Sequence, residues 1–155
     1  MIVQPAGINR RQVVVAGAAL TAWQHGVAQL SGNPAALTAA VTAFTAGRMP
    51  TPGGIELDIA PLVENGNTVP VSVRVASAMS ASDHVKRIAL FTERNPQPEV
   101  AVFKLSLLSG RAEVATRMRL ATSQRVVAVA ELQDGSYRQR TVEVVVTLAA
   151  CVEGG

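Results

Sequence analysis

The sequence predicts an all-β fold, two antiparallel sheets stacked face to face, and three observations predict it. Apolar residues make up 48% of the 155-residue chain but aromatics only 3%, so valine and alanine must build the core. Valine favours the pleated, half-buried surface of a strand. From residue 55 onward apolar and polar residues alternate with a period of two, the mark of strands with one buried face. The breaks between these runs are short and carry Gly, Asn, Asp, Ser and Pro, which tight reversals accept. About seven such runs over roughly 100 residues describe an immunoglobulin-like antiparallel β-sandwich; a small closed barrel would satisfy the same pattern.

The N-terminal third has a different texture, with no acidic residue before Glu56. In "NRRQVVVAGAALTA", Arg10 and Arg11 stand directly before the apolar run Val13 to Ala22. That run falls well short of the roughly 20 residues that span a bilayer, and it fits the apolar region of an export signal. Paired arginines before a moderately apolar stretch resemble the twin-arginine type of bacterial leader. Residues 1–28 are therefore read as a twin-arginine signal peptide, cut after Ala28 on the small residues Gly26 and Ala28. The expected location is the periplasm, with no membrane anchor.

Residues 29–54 are read as a short helix and linker. "GNPAALTAAVTAFTAG" predicts a helix from Pro34 to Ala46, opened by a proline and closed by Gly47. The sandwich follows over 55–148. Its strands are expected at Ile55–Ile59, around Val71–Val75, and at Val85–Glu93, Glu99–Leu107, Ala112–Ala121, Gln124–Leu132 and Ser136–Leu148. In "PVSVRVAS", Val71, Val73 and Val75 share one face and Ser72 and Arg74 the other. Ser109-Gly110 and Asp134-Gly135 read as tight turns, Glu64–Pro70 and Asn95–Pro98 as longer loops.

Several function classes drop out. The formal charge of +3 falls to 12 basic against 11 acidic residues once Arg10 and Arg11 are removed, which is no footprint for nucleic acid. Cutting the leader removes His25, and one cysteine and one histidine, far apart in sequence, make no metal set. His84, beside Asp83, reads as a rim histidine rather than a catalytic one, and Asp58, Glu64, Glu93 and Glu99 as solvated carboxylates. Phosphate-binding glycine loops and the serine nucleophile motif are missing.

One group is left over. Cys151, in "TLAACVEGG", is the single cysteine. An exported chain meets an oxidising compartment, and an unpaired thiol there calls for intermolecular pairing or reactivity. The last alternating run ends at Leu148, so the sulfur stands at most roughly 10 Å beyond the sheet. Ala149 and Ala150 are small and Gly154 and Gly155 permissive, so residues 149–155 are expected to form a flexible arm. A nucleophile on such an arm suits a carrier, because catalysis needs groups positioned around the reacting atom. No catalytic residue and no cofactor of its own is expected.

The motifs "ENG", "VPV", "NPQPEV", "SGRAEV", "RLA" and "VAVAELQDGSY", in this order and spacing, resemble the SoxY family of sulfur-compound carriers. The resemblance covers 33–151 together with the Arg10-Arg11 leader. It implies an immunoglobulin-like sandwich working as a heterodimer with a SoxZ-like subunit. It also implies that Cys151 is loaded with thiosulfate by a heme-containing conjugating enzyme, relieved of sulfate by a hydrolase, and served by a sulfane dehydrogenase. The family arm reads Gly-Gly-Cys-Gly or close to it, whereas this one reads Ala149-Ala150-Cys151-Val152-Glu153-Gly154-Gly155. That departure leaves open whether thiosulfate is the natural load. A disulfide through Cys151 would join two carriers. Other readings are a secreted binding module without covalent chemistry, a thiol peroxidase, and a carrier activated at its terminal diglycine. A prenyl anchor fails on spacing, because four residues follow Cys151.

Overall fold

The computed structural model describes residues 33–150. The expected signal with Arg10 and Arg11, and Cys151, Gly154 and Gly155 at the other end, lie outside the described residues. The order is α1 (Pro34–Phe44), β1 (Thr51–Pro52), β2 (Ile55–Asp58), β3 (Leu62–Asn65), β4 (Val69–Val75), β5 (Val85–Thr92) and β6 (Glu99–Lys104). A 3-10 turn at Leu107–Ser109 leads to β7 (Glu113–Met118), β8 (Gln124–Leu132) and β9 (Tyr137–Leu148).

These strands form the expected sandwich. One sheet runs β1-β9-β8-β5-β6, with β3 also paired to β9; the other runs β2-β4-β7. Nine strands stand where about seven were expected. The additional two, β1 and β3, both lie parallel to β9, while every other pairing is antiparallel. Neither carries the alternation of a half-buried strand: both residues of β1 are exposed, and β3 buries only Val63.

The core lies between the sheets. β4 turns Val69, Val71, Val73 and Val75 inward, against Ile88, Leu90, Val126, Ala128, Ala130 and Val144 of the larger sheet. Strands β5 and β8 are buried on both faces, which explains their long apolar runs. What covers their outer face is α1. Leu37 and Phe44 pack on Ala89, Phe91, Val127, Val129 and Tyr137. The Phe44 ring meets Phe91 edge-on at 5.8 Å and Tyr137 at 6.0 Å, and Arg87 lies 4.5 Å from its centroid.

The segment expected as helix and linker is thus an integral layer of the sandwich. Asn33 caps α1 by accepting the Ala36 amide at 3.1 Å, with Pro34 in the first turn. The helix ends at Phe44 rather than Ala46. Ala46 adopts a left-handed φ of 50°, and Gly47 donates back to the Thr42 carbonyl at 2.9 Å. That return bond, with the Ala46 amide on the Ala43 carbonyl at 3.3 Å, closes the last turn in a Schellman arrangement.

Candidate functional site

Strand β9 is 12 residues long and changes partner along its length. Tyr137 to Val144 pair with β8, whose register ends at Gln124↔Val144. Beyond that point β3 takes over, with Leu62↔Val145, Val63↔Val146 and Asn65↔Leu148. The strand leading toward Cys151 is therefore finished by a short parallel neighbour.

Where β3 turns away, Gly66 is stitched on both sides. Its amide donates to Leu148 at 2.8 Å, and its carbonyl accepts from the Leu120 amide at 2.8 Å. Leu120 in turn accepts from the Ala150 amide at 3.2 Å. Ala150 is only 6% exposed. This corrects the expected arm: Ala149 is exposed, but Ala150 is buried and hydrogen-bonded, so the chain stays attached two residues past the end of β9. The physical reason is a loop contact from residues 66 and 120, remote in sequence.

Gly66 is required here for space. A Cβ at this position would stand 2.4 Å from the Leu120 oxygen, 2.9 Å from the Ala150 nitrogen and 3.1 Å from Val146 Cγ1. Its neighbours Asn65 and Asn67 brace the turn, the Asn65 side chain accepting the Asn67 amide at 2.9 Å.

Two further loops hold the same end. Asn95 donates to the Arg119 carbonyl at 2.8 Å and accepts from the Ala121 amide at 3.0 Å. Its oxygen also accepts from Gln124 Nε2 at 2.9 Å. Gln124, 5% exposed, bonds Thr122 and Arg94 as well, so this buried amide is satisfied at both ends. Ser123 Oγ accepts the Val146 amide at 2.9 Å, and Thr147 Oγ1 donates to the Glu64 carbonyl at 3.1 Å. Alongside, Arg125 grips Glu93 through Nε at 3.1 Å and Nη2 at 2.8 Å. Those charge-assisted bonds hold the Glu93 carboxyl below the usual carboxylate range, against a smaller opposing effect of burial.

The arrangement can position and present; it assembles no reacting constellation among the described residues. His84 enters β5 at the far end, bonded through Nδ1 to the Ser80 carbonyl at 3.1 Å. At ~3.3 Å per residue, the ends of the eight-residue β5 stand roughly 23 Å apart. Asp58, Glu64 and Glu99 are exposed, and Glu93 is committed to Arg125. No group of three or more His, Cys, Asp or Glu among the described residues is placed to hold a metal ion. No described helix is long and apolar enough to cross a membrane. Beside the tail root, Leu62, Val145 and Leu148 are left more than half exposed.

Sequence reasoning missed Gly66, Asn95, Leu120, Ser123 and Gln124. The signal was present in "ENG", "NPQP" and "RLATSQ", amide- and glycine-rich breaks whose polar groups need partners. Their shared destination was not readable.

The sequence matches the family model described as sulfur oxidation protein SoxY over residues 32–151. That range ends on Cys151. No curated protein sequence is a significant match. Among solved structures, the sulfur carrier protein SoxY from Chlorobium limicola f thiosulfatophilum is similar at 29% identity and a TM-score of 0.61. The match covers 75% of this chain and 100% of that one. The superoxide reductase (neelaredoxin) from Ignicoccus hospitalis is similar at 14% identity and a TM-score of 0.54, over 61% of this chain and 80% of that one. The superoxide reductase from Nanoarchaeum equitans matches at 11% identity and 0.53, over 62% and 100%. At these identities the two reductases show a shared fold alone.

Proposed function

The chain belongs to the SoxY family of sulfur oxidation proteins, and from that premise we propose that it is a periplasmic carrier holding thiosulfate-derived intermediates covalently on Cys151. One observation supports this reading above the rest. The only cysteine of the chain directly follows Ala150, the residue tied to the end of the sandwich, and the family match extends to it. This supports a thiol carried next to the held end of the sandwich and offered there to another protein's active site.

The chemistry belongs to the partners. Loading joins the Cys151 sulfur to the outer sulfur of thiosulfate; a new S–S bond forms, the thiol proton is released, and two electrons pass to the heme-containing conjugating enzyme. Hydrolysis then breaks the bond to the sulfonate sulfur, water supplies the oxygen of the departing sulfate, and a persulfide is left on Cys151. A sulfane dehydrogenase oxidises the remaining sulfur with oxygen taken from water and electrons passed to its own acceptors. A final hydrolysis releases sulfate and restores the thiol. In this reading the chain supplies the nucleophile that is loaded and its partners supply the catalysis, so it works as a covalent carrier.

The working unit is a heterodimer with a SoxZ-like subunit, exported through the twin-arginine leader at Arg10 and Arg11. A disulfide between two Cys151 residues is an idle state that must be reduced before loading. Intact-mass measurement of wild type and Cys151→Ser, after incubation with thiosulfate and the conjugating enzyme, tests the reading.

A further inference from the structure

We infer that Gly66 is a positioning residue for the carrier thiol, keeping Ala150 locked against Leu120 so that Cys151 leaves the sandwich from a fixed point. The function of the lock rests on the carrier reading; the lock itself is a property of the backbone.

Space, not conformation, selects glycine here. Gly66 is not among the glycines with positive φ, so its backbone would accept alanine. The obstacle is the Cβ, 2.4 Å from one partner of the lock and 2.9 Å from the other. Both contacts are too short to survive. Leu120 is fully buried, and Asn95 pins the residues on both sides of it through the Arg119 carbonyl and the Ala121 amide. Among the described residues, Ala150 makes one backbone bond, the one to Leu120. The Cβ falls on the acceptor oxygen and the donor nitrogen of one and the same 3.2 Å bond, so relieving both contacts disrupts that bond.

The consequence for presentation is geometric. With Ala150 held, the last fixed point of the chain is the residue directly before Cys151. A partner enzyme then meets the cargo together with the three loops around Gly66, Asn95 and Leu120. With Ala150 released, the thiol swings from Leu148, and its effective concentration in a docked active site falls.

The lone cysteine allows a direct test on the full chain. A nitroxide is attached to Cys151 in wild type, Gly66→Ala and Ala150→Pro, and its motion is read by electron paramagnetic resonance. Proline removes the donating amide while leaving Gly66 in place. The expected result is faster label motion in both variants than in wild type. In Gly66→Ala, hydrogen exchange at the Ala150 amide should also rise about tenfold, as loss of one hydrogen bond implies, while Val129 keeps its protection. Superimposable spectra for all three proteins would overturn the inference. Should Gly66→Ala fail to fold, Ala150→Pro decides alone, and a spectrum identical to wild type counts against the lock. Neither measurement involves sulfur transfer. A wild type that never loads thiosulfate would remove the carrier reading and leave the lock, and the reverse outcome would remove only the lock.

Discussion

Ala150 donates its amide hydrogen to the carbonyl of Leu120 at 3.2 Å, across 30 residues of sequence. The sandwich therefore extends its grip beyond the last strand to the residue before Cys151. The held part of the chain thus reaches the residue that directly precedes the thiol.

The inter-sheet core supports that held end from within. Val73 is fully buried at the centre of β4, and Val73→Ala removes two methyl groups' worth of contact there. The expected loss is about 2–3 kcal/mol of folding stability, transfer and cavity effects combined. Urea unfolding at fixed pH reads it, and a loss below about 0.5 kcal/mol would show that this core relaxes far more than its burial implies.

Helix α1 is held by a different set of contacts. Phe44→Ala removes both edge-on ring contacts and the surface beneath Arg87, at an expected cost of about 3–5 kcal/mol. The variant should expose 33–54 to limited proteolysis while a fragment spanning β2 to β9 resists. Uniform digestion of the whole chain would instead show that helix and sandwich unfold as one unit.

Acid stability carries a sign that follows from Glu93. Its folded-state pKa lies below the ordinary 4.5, chiefly through the Arg125 hydrogen bond. The contribution is complete above the unfolded value and is lost as pH falls through the lower folded one. Glu93→Gln should accordingly be less stable than wild type near neutrality, with the difference shrinking below about pH 4.5. Denaturant midpoints from pH 3 to 7 would show it, and a gap that stays constant over that range would contradict it.

On the carrier reading, the residues that follow Cys151 are expected to slow its loading. Val152 adds bulk next to Cys151, and Glu153 adds a negative charge two residues from it. Deleting Val152 and Glu153 should speed coupling of thiosulfate by the conjugating enzyme. Equal rates for the two proteins would remove the idea.

How far the sequence could be read depended on whether a residue's partner was local. Val71, Val73 and Val75 announced an inward face because alternation is a property of one strand, and all three are buried. The runs Ile88–Phe91 and Val126–Ala130 were legible as strands, but their two-sided burial required a layer outside the sheet. That layer was concealed in Leu37 and Phe44: their helix was expected, but its packing partners are 45 or more residues away. Strands β1 and β3 were invisible for a related reason: their backbone bonds to β9, not their side chains, make them strands. Ala150 was misjudged because no apolar alternation continues past Leu148, and the bond that holds it comes from a loop. The thiol itself was conspicuous as the one cysteine; the anchoring of the residue before it was not.

The carrier claim is tested most directly by intact-mass analysis of the chain after exposure to thiosulfate and the heme-containing conjugating enzyme. Wild type should gain a thiosulfate-derived increment that a reductant removes, and Cys151→Ser should gain none. A wild type that stays at its unmodified mass, or an increment that persists in Cys151→Ser, would contradict the account.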